Sequence, residues 1–359
     1  MSGLFDVARS FLRAEARNVR RYDVPWRRRL WLYAHGFLSS KARLWDLDDE
    51  TIEQYLSDVE YRSVRGLSTH YGEGLGNKLF FHLLLGPTHG SVLPELHGLV
   101  RDGRLLDRPH SDWVQTVEQL RDRLRSGPLV AKPIAGAQGN GVRVLDTDEG
   151  HLRIDGEPVP TEEFLSRLPG DQDLLLEEHV TTADYASEIF PPSTNTLRLL
   201  TMIDPASGEP FVTAGSHRFG TAESGHTDNW SAGGVSAGID LDTGRLGPAV
   251  TNPAAGGHAD ERIETHPETG ARIAGVEIPG WERVRATVRD LAAAYGWLWP
   301  HVGWDVVVRS DDGEITVLEG DAQSVDPDQQ AHRPLLADER ARRFYEYHGV
   351  LSNPWRRWR

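Results

Sequence analysis

The chain has 359 residues, room for two or three lobes, because a single hydrophobic core stops growing near about 250 to 300 residues. Its formal charge of −15, from 39 basic and 54 acidic side chains, argues against a nonspecific nucleic-acid binder. The absence of cysteine excludes a disulfide framework, a thiolate nucleophile and Cys-ligated zinc. No apolar run approaches the roughly 20 residues needed to span a bilayer, and the N-terminus lacks the apolar segment of a signal peptide. The cytoplasm is the expected compartment, with the membrane surface as the alternative. Lysine occurs only as Lys41, Lys78 and Lys132, so a lysine inside a motif is informative.

Residues 1–60 read as helical. Leu4, Phe5, Val7, Ala8, Phe11, Leu12 and Ala16 recur at helical spacing, with Arg9, Arg13, Arg17, Arg20 and Arg21 between them, and Arg27 to Arg29 follow beside Trp26, Trp31 and Tyr33. Such a face either meets a membrane surface or a protein partner, or is an ordinary helical cap with solvated arginines, and the solvated cap is the simpler reading. Residues 76–127 predict further helix and loop, with helices opening at Asn77 to Leu85 and spanning Val114 to Leu124, before Gly127-Pro128 breaks the chain. From Leu129 the texture changes to β-rich runs separated by Gly and Asp turns. The runs are Leu129 to Lys132, Val142 to Leu145, Leu174 to Glu177, Leu197 to Ile203, Phe211 to Ala214, Val235 to Leu241, Val302 to Val308 and Ile315 to Glu319. Trp281 to Tyr295 reads as a helix between the later strands, and the mixture indicates an α+β enzyme.

Three segments carry chemistry. In the first, a strand ending at Lys132 leads through Gly136, Gly139 and Gly141 into another strand. A hairpin of that kind lets backbone amides close over phosphate oxygens while the lysine supplies a point charge. It is neither a Rossmann fingerprint nor a Walker loop, because both of those lead from glycines into a helix. In the second, Leu174 to Val180 is an apolar strand whose exit offers backbone groups to a planar ring, although an ordinary strand terminus reads the same way. In the third, Val302 to Val308 and Ile315 to Asp321 flank the turn Ser310-Asp311-Asp312-Gly313. The hairpin brings Asp305 toward Glu319, and the period of two puts Glu319 and Asp321 on one face. Three converging carboxylates suit magnesium, a hard cation usually shared with phosphates; on a solvated edge they would be ordinary surface acids.

Lys78, Lys132 with its glycine loop, the exit from Glu177 to Val180, Asn195-Thr196-Leu197-Arg198, and Asp305 with Glu319, in that order, resemble the ATP-grasp superfamily. The likeness runs from about residue 60 to 335 and is greatest to the sugar-transfer associated ATP-grasp proteins. It includes Thr227-Asp228-Asn229-Trp230-Ser231-Ala232-Gly233-Gly234, Ile239-Asp240 with Thr243-Gly244, His266-Pro267 with Thr269-Gly270, and Ile278-Pro279 with Trp281.

The resemblance implies an ATP-grasp fold, two α+β lobes sandwiching ATP, with a helical N-terminal region at 1–75. Residues 76–128 would form the N-terminal part of the module, 129–185 the small lobe with its glycine-rich hairpin, 186–340 the large lobe with the metal site, and 341–359 a tail. By the same resemblance, Lys78 and Lys132 contact ATP phosphates, the loop with Gly136, Gly139 and Gly141 covers them, and Glu177, Glu178 and Val180 hold adenine. Arg198 and Arg218 stand near the transferred phosphate, Asp228 and Asn229 near the substrate, and Asp305, Glu319 and Asp321 hold one or two Mg2+ ions, for which Mn2+ is the substitute. The usual pattern has asparagine where this chain has Asp321.

The implied chemistry is transfer of the γ-phosphoryl group to a small-molecule or sugar-linked carboxylate, giving an acyl phosphate that an amine attacks. A kinase forming a phosphate ester and a non-catalytic nucleotide-binding regulator are the alternatives. His179, His217, His226, His266 and His301 lie near these motifs and are read as structural.

Overall fold

The computed structural model describes residues 2–68, 71–106, 112–136, 139–252, 262–323 and 325–352. Ala137 and Gln138 of the glycine loop and the last seven residues of the expected tail therefore lie outside the described residues. The chain divides into two compact units. One comprises Met1–Gly72, Thr182–Glu314 and Asp321–Arg359; the other comprises Glu73–Thr181 and Ile315–Gly320. The segments expected as separate pieces at 76–128 and 129–185 thus fall almost wholly in one unit.

Helix α1 (Ser2–Arg21) and helix α2 (Trp26–Ala34) open the chain, with Pro25 as the α2 N-cap. Helix α3 (Asp58–Val64) begins at a capping box in which Ser57 and Glu60 each accept the other's amide hydrogen. After α4 (Gly72–Gly76), helix α5 (Lys78–His89) starts where Asn77 accepts the Phe80 amide at 3.1 Å. Strands β1 (Leu96–Arg101) and β2 (Arg104–Leu105) form a hairpin whose two-residue turn, Asp102-Gly103, has φ of 50° and 68°. Helix α6 (Val117–Leu124) carries a second capping box, Thr116 with Gln119. Strands β3 (Leu129–Pro133), β4 (Arg143–Asp148), β5 (His151–Ile154) and β6 (Glu157–Pro158) follow, then α7 (Phe164–Arg167) and β7 (Leu174–Glu178). The remaining elements are α8 (Asp184–Ser187), β8 (Leu197–Ile203), β9 (Pro210–Phe219), β10 (Val235–Ile239), β11 (Leu246–Thr251), α9 (Trp281–Tyr295), β12 (His301–Val308), β13 (Ile315–Asp321), α10 (Pro327–His332) and α11 (Glu339–Tyr347).

In the unit built from Glu73–Thr181, seven strands pair in the order β2-β1-β7-β3-β4-β5-β6, every pair antiparallel. Its core gathers Leu129, Leu145, Leu152, Leu174 and Leu176 from the sheet, Leu120 and Leu124 from α6, and Phe164 from α7. The sequence reading assigned helix and loop to the stretch that contains β1 and β2. A histidine and a glycine break the apolar run of Leu96–Arg101, so β1 shows itself through its partner β7 rather than through its own periodicity.

In the other unit β11, β10, β9, β8 and β12 lie side by side in that order, all antiparallel. Residues 197–202 of β8 are buried without alternation, as expected of a strand covered on both faces. Leu200, Met202 and Phe211 pack with Leu335, Leu336, Phe344, Tyr345 and Val350. The residues after 340, read as a tail, therefore supply core. The N-terminal segment belongs to the same unit, since Leu32, Phe37, Trp45 and Tyr55 pack with Trp230, Val250 and Ala331. Trp45 Nε1 donates to the Pro327 carbonyl at 3.0 Å, and the Gln330 side chain bonds both backbone groups of Leu56.

Candidate active site

Within the seven-stranded unit, α5 presents Lys78 and His82 one turn apart, the spacing that places two side chains on one face. Lys132 lies opposite Leu175 and Glu177 opposite Val130, so Lys132 and Glu177 are diagonal neighbours on one face of the β3–β7 pair. The Glu177 carboxylate is 2% exposed and is held by Lys132 Nζ on one oxygen and by His82 Nε2, at 2.8 Å, on the other. Burial pushes that carboxyl up, but the Lys132 ammonium and the His82 hydrogen bond outweigh it and hold the group below the usual carboxylate range. Lys78 Nζ lies 3.2 Å from a Glu319 oxygen and 3.1 Å from the Gly136 carbonyl of the glycine loop. Lys132 Nζ is 3.4 Å from the Leu318 carbonyl. Two of the chain's three lysines are thus oriented by carboxylates in one unit. In that loop Gly136, Gly139 and Gly141 have φ of 141°, 71° and 79°, conformations that side-chain-bearing residues rarely adopt.

Glu177, expected beside adenine, carries Lys132 on one oxygen and His82 on the other. His82 was not singled out in the sequence. Its signal was its position four residues after Lys78 on a helix that also opens at a capped lysine. At the strand exit the Glu178 amide donates to the Glu95 carbonyl at 2.9 Å, and Val180 is buried.

The other unit holds a second charged group. Arg198 and Asp305 face each other across the β8–β12 pair, and the Arg198 Nε lies 3.2 Å from Asp305 and 2.7 Å from Asp326. Arg218 reaches Asp326 at 2.9 Å, Asp328 at 3.6 Å and Asp305 at 3.8 Å. Burial works against the charged Arg218, but Asp328, Asp326 and Asp305 raise its pKa well above its ordinary value, so it stays charged. Asp328 also accepts from Ser216 at 2.9 Å and Ser236 at 2.7 Å, and Gln329 donates to the Arg198 carbonyl. Asp326 and Asp328 escaped the sequence reading. Asp326-Pro327 starting a helix is the trace they leave, with Pro at the first helical position.

Asp228 accepts from the backbone amide of Thr196 at 2.6 Å and from its hydroxyl at 2.5 Å, and burial raises its pKa. Asn229 accepts from the Ser231 amide at 2.9 Å. Through these bonds Asp228 ties its loop to Thr196 and Asn229 caps the short turn that follows it. Asp321 Oδ1 accepts from the Gln323 amide at 2.8 Å. Among the described residues no group of three or more His, Asp or Glu side chains stands arranged to hold an ion. Magnesium shared with phosphates needs only one or two carboxylates and completes its octahedron with phosphate oxygens and water. Asp305 and Asp321 in one unit and Glu319 in the other are each hard oxygen donors of the kind that magnesium takes.

The sequence profile of the family described as sugar-transfer associated ATP-grasp matches residues 70–338. Among solved structures, the chain is similar to the ATP-grasp ligase PsnB complexed with a phosphomimetic variant of minimal precursor, Mg and ADP, at 14% identity over 78% of this chain and 61% of that one, with a TM-score of 0.39. D-cycloserine synthetase DcsG matches at 14% identity over 80% and 72%, TM-score 0.36. N5-carboxyaminoimidazole synthase from Aspergillus clavatus, in complex with ADP and 5-aminoimidazole ribonucleotide, matches at 11% identity over 74% and 52%, TM-score 0.37. The chain spans less than two thirds of the length of the PsnB and Aspergillus chains. No curated protein matches the sequence.

Proposed function

Because the chain belongs to the sugar-transfer associated ATP-grasp family and has its α+β fold, we propose that it is an ATP- and Mg2+-dependent ligase that activates a carboxylate as an acyl phosphate for attack by an amine. The observation that carries this reading is the seating of Lys132 and Lys78 against Glu177 and Glu319, beside a glycine loop. A lysine held by a carboxylate keeps its direction, which is what binding a triphosphate requires. Lys78 and Lys132 bind phosphate oxygens, the loop from Gly136 to Gly141 closes over them, and the strand exit from Glu178 to Val180 borders the adenine ring.

Arg198 and Arg218 are the groups suited to charge that grows on the transferred phosphoryl group, because both are planar donors oriented by surrounding aspartates. The γ-phosphorus bonds to a substrate carboxylate oxygen as its bond to ADP breaks; an amine then attacks the acyl carbon, inorganic phosphate leaves, and the nitrogen loses a proton. When bound, Mg2+ screens charge between phosphate oxygens, and Asp305, Glu319 and Asp321 are the residues that would hold it. No side-chain nucleophile is needed, in keeping with a chain free of cysteine. The acid and the amine are small molecules or sugar-linked groups in this reading.

The test is release of ADP and phosphate by the purified protein with Mg2+ and ATP, screened against pooled carboxylic acids with and without pooled amines, with Glu319→Gln as the control. Release of both products only when both pools are present, and its loss in the control, is the expected result. ADP formation without free phosphate on an acid or alcohol alone would replace the ligase by a kinase.

A further inference from the structure

Ten basic side chains against three acidic ones fall within residues 1–43 of a chain whose net charge is −15. The structure sorts that basic segment by face. In α1 the stripe Phe11, Glu15, Asn18, spaced i, i+4, i+7, faces the protein. Phe11 meets the Tyr33 ring edge-on at 5.9 Å, and buried Glu15 receives Arg29 at 3.0 Å and the Tyr33 hydroxyl at 2.6 Å. Asn18 donates to Ser40 at 3.4 Å.

The next two stripes of the same helix turn outward. Leu12, Ala16 and Val19 form one, with Leu12 68% and Val19 51% exposed, and Arg13, Arg17 and Arg20, all exposed, form the other. Arg9 is exposed beside them. Helix α2 repeats the pattern one turn at a time: Trp26 is 66% and Leu30 57% exposed at i and i+4, with exposed Arg27 next to Trp26. An apolar stripe bordered by an arginine stripe on an outward face, with tryptophan at its edge, is the layout of a helix lying in the plane of a lipid headgroup layer.

We propose that this outward face of α1, extended by Trp26 and Leu30 of α2, docks the protein on an anionic lipid surface. Leu12 and Val19 enter the boundary between headgroups and acyl chains, while Arg9, Arg13, Arg17 and Arg20 meet lipid phosphates. The charge picks the occupant, because a basic segment on an otherwise acidic chain is drawn to an anionic layer while the rest of the surface is repelled from it. The outward stripes run along the helix axis, which puts the proposed contact parallel to the surface; among the described residues no helix is long and apolar enough to cross a membrane. The inference is independent of the ligase reading.

The experiment is co-sedimentation of the full chain with vesicles of phosphatidylcholine alone and with about one third phosphatidylglycerol. Binding is expected to the anionic vesicles, to fall with added salt, and to drop roughly tenfold or more in Arg13→Gln/Arg17→Gln/Arg20→Gln. The pair Leu12→Ser/Val19→Ser leaves charge unchanged and is expected to weaken binding several-fold by removing buried apolar surface. All five positions are exposed, so both variants should melt like the wild type, which separates lost docking from lost folding. Equal affinity for neutral and anionic vesicles, or unchanged binding in both variants, would overturn the proposal. So would concentration-dependent self-association without lipid that the same substitutions abolish, since the face would then belong to a second copy of the chain. Nucleotide turnover in solution, measured alongside, should be the same in both variants.

Discussion

Lys132 and His82 hold the two oxygens of one buried carboxylate, that of Glu177, and come to it from different elements, a strand and a helix. Removing either partner leaves charge in a site that water does not reach. Glu177→Ala should destabilise the protein by about 3–5 kcal/mol, the range for breaking a buried ion pair, and His82→Ala by about 1–3 kcal/mol for a lost buried hydrogen bond. Urea unfolding at pH 7.5 reads both. A Glu177→Ala protein as stable as the wild type would show that the pair contributes nothing.

The same carboxyl gives a pH test whose sign is fixed by its lowered pKa. Its contribution is complete above the ordinary glutamate range and is lost as pH falls through the lower native value, because the unfolded chain takes up the proton first. Glu177→Gln should start less stable at pH 7 and lose less stability between pH 5 and 3. Parallel stability curves for the two proteins would contradict the lowered pKa.

In the other unit, Arg218 is surrounded by Asp305, Asp326 and Asp328. Arg218→Ala should cost about 3–5 kcal/mol because three acids lose a buried counter-ion. Arg218→Lys keeps the charge but not the planar fork, so its stability loss should be smaller. If the ligase reading holds, its turnover should fall roughly a hundredfold or more with less change in the affinity for Mg-ATP. Titration with Mg-ATP followed by calorimetry separates the two effects.

Lys132 and the glycine loop were legible because local pattern and chemistry coincide where a strand runs into a glycine turn, whereas Asp305 came from the hairpin pattern, and Lys78 and Arg198 from the family resemblance. Long apolar β8 and the amphipathic helix α9 were legible from local pattern as well. Strands β1, β2, β5, β6 and β11 were not, being short, polar or broken by glycine. Their turns did carry a signal: Asp102-Gly103, Glu149-Gly150 and Asp155-Gly156 all have positive φ at both residues, as a two-residue hairpin turn demands. His82, Asp326 and Asp328 were hidden because their partners Glu177, Arg198 and Ser216 lie 95, 128 and 112 residues away in the chain. Pairings of that kind form only once the helices pack against the sheets.

The glycine pair before β10 explains part of the motif that begins at Thr227. A Cβ on Gly234 would stand 2.7 Å from the Asp228 carbonyl oxygen and 2.9 Å from that of Phe219, both backbone atoms. Gly234→Ala should therefore destabilise by about 1–3 kcal/mol through overpacking, whereas Gly170→Ala, with nothing within 4 Å, should be close to neutral. Thermal melts of the two variants decide it, and equal melting temperatures would show that the loop yields without cost.

Two buried histidines predict a loss of stability in mild acid. Burial lowers the His301 pKa to about 4 and that of His217 to about 3. His301 is packed against Phe344, with its Nε2 3.0 Å from the Tyr345 hydroxyl. In the unfolded chain both rings take up a proton near pH 6.5, while the folded protein keeps them neutral well below that. Their contribution is therefore complete above about pH 6.5 and is lost as the pH falls toward the native values. The slope approaches about 1.4 kcal/mol per pH unit for each ring near pH 5. His301→Phe should lower stability at pH 8, where the bond to Tyr345 is lost, yet flatten the profile between pH 6.5 and 5, a window above the range in which most carboxylates titrate. Urea unfolding at half-unit steps measures that slope. A variant whose profile parallels the wild type would mean that His301 takes up its proton in the folded state as readily as in the unfolded chain.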